Sequence, residues 1–239
     1  MVKSPLARIL LGLAVLALVG VTALALGSKQ NVVISSDGRQ AIATKAPSVV
    51  APANFDSDAG LKTIAGNLST YPFGTFFCCY GNTIAGPSSA LGFEVWLAMP
   101  FTPSASGTVN KVKVSVGNII NTDVNFNLSV NNDSSGLPGT AIKTFAATAP
   151  NSFGSCCALV TGSSSAGIPV TGGTQYWVVV STNDKKHPTF FGAWAFNSTD
   201  MRSHPAASYC NSTGTQCGSN NGKWVGFQSI LPAFGVLGH

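Results

Sequence analysis

Charge is scarce in this sequence. Asp, Glu, Lys and Arg make up 9% of its 239 residues, against about 25% in an ordinary soluble domain, and Glu94 is the only glutamate. The shortage removes the Glu/Lys-studded surface of a helical cytosolic enzyme. It also removes a nucleic-acid-binding face. The formal net charge of +5 counts Lys3 and Arg8; without them eleven basic residues stand against eight acidic ones, too small and scattered an excess to hold a polyanion. Histidine is confined to His187, His204 and His239, and no C-x-x-C occurs, so a zinc site is not expected. There is no G-x-S-x-G elbow. A glycosidase needs two carboxyl groups facing each other across a sugar, whereas the seven aspartates fall mostly in turn-like stretches and Glu94 stands alone. The expectation is a protein that is not an enzyme and uses no cofactor.

Long apolar runs are missing as well, with one exception. Lys3 and Arg8 precede eighteen uncharged, mostly aliphatic residues, Ile9 to Leu26, and Ala23-Leu24-Ala25 has the small-x-small form that a signal peptidase accepts. Residues 1–25 are therefore read as a signal peptide or, if uncleaved, an N-terminal membrane anchor helix. Either way the remainder faces the outside: extracellular, or on the cell surface attached through that segment. Residues 26–53 mix small and polar residues, lack aromatics and read as a flexible linker. Residues 54–239 hold all the Trp, Tyr, Phe and Cys residues and form one domain, large enough to bury a core without help from metal or disulfides.

What is abundant is alternation with period two. Val112, Val114 and Val116 alternate with Lys111, Lys113 and Ser115. Val124, Phe126, Leu128 and Val130 alternate with Asn125, Asn127 and Ser129. Each pattern is a strand with one apolar and one wet face. Further strands are expected at 93–99, 142–146, 157–161, 175–181, 189–196 and within 223–236, while 54–66 is the one stretch that reads as a short helix. About eight short strands separated by Gly, Pro, Asn and Ser clusters predict an all-β fold, an antiparallel two-sheet β-sandwich, jelly-roll-like or immunoglobulin-like.

Three sets of residues carry the functional expectations. Outside the reducing cytosol six cysteines imply disulfides. Cys210 and Cys217 enclose a short polar loop and are the first pair expected. The doublets Cys78/Cys79 and Cys156/Cys157 would then pair with each other across the sheets, or each within itself. In "NNDSSGLPG", Asp133 caps a turn between two strands; the rival reading takes Asn131 and Asp133 as the opening of a calcium loop, for which a single carboxylate is too few. Among the aromatics, Trp96, Trp177, Trp194 and Phe196 suit a core. Trp194 and Tyr209, beside loop-rich sequence, are also the candidates for an exposed platform on which a sugar ring could stack.

Taken in order, "VWLAMPFTP" (95–103), "VNKVKVSV", "VNFNLSVNNDSSGLPGTAI" (124–142), "GIPVTGGTQYWVVV" (167–180) and "LPAFGVLG" resemble the bacterial exported modules called choice-of-anchor domains, type R in particular. In those a W-x-A-x-x-F-T strand leads to a strand pair closed by an acidic residue and G-x-P-G, followed by L-x-x-G-x-x-Y-W. The resemblance covers about 93–238. It implies a secreted or surface-displayed β-sandwich with no established catalytic activity, and here without the usual C-terminal sorting tail, so attachment would fall to the N-terminal segment. The functional expectation is a non-catalytic exported interaction or display module. Its expected partners are glycan or cell-envelope components, and the alternatives are a purely structural envelope or matrix component or a cryptic hydrolase.

Overall fold

The computed structural model describes residues 32–44, 58, 60–68, 76–120, 123–150, 152–154, 159–182, 186–197 and 202–239. The expected leader, 1–25, lies outside them, and no helix among the described residues is long and apolar enough to cross a membrane. The strands are β1 (Val32–Ile34), β2 (Gln40–Ala43), β3 (Lys62–Gly66), β4 (Phe76–Ala85), β5 (Glu94–Phe101), β6 (Gly107–Val114), β7 (Val116–Asn118), β8 (Asn125–Ser134), β9 (Leu137–Thr148), β10 (Val160–Val170), β11 (Tyr176–Ser181), β12 (Phe191–Asn197), β13 (Ser203–Asn211), β14 (Lys223–Ile230) and β15 (Phe234–Gly238).

They form two antiparallel sheets, a β-sandwich as the alternation predicts. The large sheet runs β1-β2-β4-β5-β11-β8-β9, with β12 and β7 joined through β4 and β13 and β14 joined through β5; the small sheet runs β10-β6-β15-β3. The core lies between them. Val112 and Val114 of β6 with Val236 of β15 meet Leu97, Met99, Phe126, Leu128, Val178 and Trp194 from the large sheet. Fully burying each of these large side chains stabilises the fold by about 1.5–3 kcal/mol relative to exposure, which is why the faces cannot be exchanged by a one-residue slip.

On the far face of the small sheet Lys111 and Lys113 both bond Asp58, at 3.0 and 2.7 Å. Burial alone would raise the Asp58 pKa, but the hydrogen bonds and charges of Lys113 and Lys111 outweigh it and hold the carboxyl below its ordinary value.

Two expectations fail. Residues 32–43, inside the expected linker, form a hairpin whose strand β2 pairs with β4, Gln40 opposite Asn82 and Ala41 opposite Gly81. The cause is a turn at Asp37-Gly38: Gly38 takes φ +70°, its N–H donates to Ser35 O, and Asp37 accepts from the Arg39 N–H. The short helix expected over 54–66 gives way to β3, antiparallel to β15, because the otherwise open edge of β15 offers partners to the backbone groups of Lys62–Gly66 that face it. Residues 54–57 of that expectation lie outside the described residues. The turn expected over Asn131–Gly139 is also tighter: β8 and β9 run through it and leave only Ser135 and Gly136 between them.

Candidate functional site

Leu97, Met99 and Phe101 of β5 point into the sandwich, so Glu94, Trp96 and Ala98 point away from it. The antiparallel register then sets Trp96 opposite Tyr209 of β13, and Tyr209 opposite Trp224 of β14. One row across three strands therefore carries three large rings on the outer face of the large sheet. Trp96 and Tyr209 are stacked, with centroids 4.3 Å apart and planes 20° apart. Trp224 leans over both, 6.2 Å from Trp96 and 5.8 Å from Tyr209. Beside them Ala98, Ala207, Trp177 and Val179 make a small apolar cluster capped by Leu137 and Trp224. The two alanines leave the room into which the larger rings settle.

The indole N–H groups separate the four tryptophans. Trp96 donates to the Thr182 hydroxyl at 2.9 Å, Trp177 to Asp133 at 2.8 Å and Trp194 to the carbonyl of Ala233 at 2.9 Å. Trp224, half-buried, has no hydrogen-bond acceptor among the described residues, and its N–H is not sealed from solvent. It alone has a donor to offer a ligand.

Polar groups border the rings. Glu94 is 2% exposed; its oxygens lie 3.2 Å from the Thr182 hydroxyl and 3.4 Å from the Asn211 amide nitrogen. Beyond Asn211 the Cys210–Cys217 disulfide, with Cα atoms 5.6 Å apart, closes the loop expected for that pair. Asn221 holds the loop from below, accepting from the Ser212 N–H at 2.7 Å and donating to the Ser212 carbonyl at 2.9 Å. Ser212 in turn bonds Gln216 at 2.6 Å. A row of rings thus ends at a short, cross-braced loop of hydroxyls and amides.

Against the expectations, Trp194 is corrected: it is fully buried, edge-on to Phe234 in the core, and presents nothing to a ligand. The parity that set it beside Phe196 placed it in the core. Tyr209 is half-buried on the outer face, with its ring stacked on Trp96. Trp177 is buried as expected, at 2% exposure, but in the smaller apolar cluster on the outer face, and Trp96, half-buried, stands on that face as well. No pattern within β5 or β11 reveals this, because both faces of those strands are covered and the sequence alternates apolar with apolar. Trp224 could have been found from the Trp-x-Gly-x-Gln side of β14, which alternates with Val225 and Phe227.

For the calcium alternative, Asp133 accepts from the Gly136 N–H, the Trp177 indole and the Gln175 amide, and Asn131 is tied to Ser129 and Gly139. The Gly136 and Trp177 donors, with Gln175, hold the Asp133 pKa below its ordinary value against a small opposing effect of burial. These oxygens serve the hairpin and its anchorage to β11. Among the described residues no group of three or more metal-ligating side chains assembles.

His187 Nδ1 lies 3.5 Å from Asp123 Oδ2, and no serine or threonine hydroxyl among the described residues bonds that imidazole. Cys79 is disulfide-bonded, while Cys156, Cys157 and the side chain of Cys78 lie outside the described residues. Comparison of the chain with protein-family models, curated proteins and solved structures finds no match.

Proposed function

We propose that this protein is an exported, non-catalytic interaction module, carried out of the cytosol by residues 1–25, that binds neutral glycan on the outer face of its large sheet. The observation that carries the reading is Trp224: a half-exposed indole with an unspent N–H, braced by Tyr209 and Trp96 and standing near a disulfide-closed loop of amides and hydroxyls. A sugar ring has an apolar C–H face and a polar rim, and such a surface matches both. The scarcity of charge supports neutral rather than ionic ligands, and the Cys210–Cys217 bridge supports maturation in an oxidising compartment.

A glycan array followed by calorimetry tests it. Saturable binding should fall at least about tenfold in Trp224→Ala and in Asn211→Ala, a loss of about 1.4 kcal/mol or more, with a cooperative melting transition retained in both variants. Retention of no glycan by the parent, or unchanged affinity in both variants, rejects the reading and leaves a structural envelope component in its place.

A further inference from the structure

A second site lies at the seam of the large sheet, lined by Ser208, Tyr209 and Cys210 of β13 but not by Trp224. Strand β4 meets β5 at one residue pair only, Ala85 opposite Val95, so the strands built on β4 splay away from β5, β13 and β14. The gap is a pocket of about 30 Å³. Its walls are mainly apolar, with Phe93, Val95, Leu97 and Phe227 beside the polar Asn82, Thr83 and Ser208. The amide of Asn82 is spent on the Ser229 hydroxyl, at 2.8 Å.

Arg39 stands exposed at its edge, pointing no charge at any acid of the described residues: it forms no ion pair, and no hydrogen bond from its guanidinium is found. No aspartate or glutamate lines the pocket. A lone, always-charged fork of N–H donors beside an apolar hole selects a carboxylate joined to a hydrocarbon.

We propose that this seam binds an aliphatic carboxylate, its hydrocarbon end between Phe93, Val95 and Phe227 and its carboxylate on the Arg39 guanidinium. Volume sets the class of tail. An apolar cavity of about 150 Å³ takes a benzene ring, and this one, at about 30 Å³, takes the end of an unbranched or singly branched chain and no ring. A free short-chain acid and the C-terminal aliphatic residue of a peptide both present that chemistry.

Amide chemical-shift mapping of the whole protein decides the matter, with hexanoate, N-acetyl-leucine, benzoate and hexan-1-ol as probes. Hexanoate, N-acetyl-leucine or both should move the backbone amides of Asn82, Thr83 and Ser208 at millimolar concentration, and which of the two does so identifies the source. Benzoate should not. Hexan-1-ol should bind about tenfold more weakly than hexanoate, the worth of one charge-assisted contact. Arg39→Gln should erase that preference without moving the melting temperature, because only the backbone of Arg39 is used by the fold, its carbonyl accepting from Thr83. Equal binding of acid and alcohol, stronger binding of benzoate, or no shift with either acid overturns the proposal. Trp224→Ala should leave the hexanoate shifts in place, so this site and the glycan face stand or fall separately.

Discussion

Two aspartates illustrate how a single side chain in this molecule links distant strands. Asp133 closes its own turn through the Gly136 N–H and also reaches Trp177, forty-four positions away. The first contact was legible, since an aspartate three residues before a glycine in a polar run is a turn signal. The second was not, because nothing local says that β8 will lie beside β11. Asp58 is a similar case, bonded to two lysines on β6. Both carboxyls are held below the ordinary aspartate value of about 3.9. A group depressed on folding contributes stability that is present above its unfolded pKa and lost as the pH falls through its folded pKa. The melting temperature should therefore stay level down to about pH 5 and fall progressively below about pH 4. Asp133→Asn should flatten part of that acid limb, and thermal melts from pH 7 to pH 2 measure it; identical acid limbs in parent and variant would remove Asp133 from the account.

At the scale of the element, close approach of backbones is a constraint that the residue types only hint at. A Cβ on Gly81 of β4 would sit 2.5 Å from the carbonyl oxygen of Trp194 on β12. Rigid backbone stands there, so Gly81→Ala should destabilise by about 1–3 kcal/mol and lower the melting temperature by about 2–4 °C per kcal/mol. The β13–β14 connection makes a second case. Removing the Cys210–Cys217 bridge in a Cys210→Ser/Cys217→Ser variant frees a short loop, for which chain entropy gives about 2–3 kcal/mol. Glycan affinity should drop with it if Asn211 and Ser212 are held in a binding geometry by the cross-link, whereas calorimetry showing unchanged affinity would make the bridge a matter of stability alone. Pairing of these two cysteines was readable from their spacing. The strands of the alternating segments were readable too, β6, β8 and β11 especially. β4 and β13 were not: Gly81 interrupts one and Pro205 the other, and their pairing comes from partners far along the chain, Trp194 opposite Asn82 and Ala98 opposite Ala207.

For the whole molecule, sheet order decides what each end of the chain does. The hairpin β1-β2 covers an edge of β4 that would otherwise present unpaired N–H and C=O groups, and exposed edges of that kind recruit other chains. A version beginning at residue 54 should therefore self-associate and melt earlier than one beginning at residue 27, and size-exclusion chromatography beside a thermal melt separates the two. Composition alone had made that region a tether, since alternation over three or four residues is too brief to rise above a background of small and polar residues. The class of fold was legible for the opposite reason: many short two-sided strands repeat one signal. The aromatic row was legible only in its members, because which rings become neighbours depends on register between strands over a hundred positions apart.

The order of the small sheet has a further consequence. β15 lies between β6 and β3 and bonds both, and His239 exchanges two backbone hydrogen bonds with Thr108. Its hydrophobic layer thus stays open until Phe234–Gly238 comes in between β3 and β6, strands that lie far earlier in the chain. Closure by contacts so distant in sequence makes completion of the small sheet a slow step in folding.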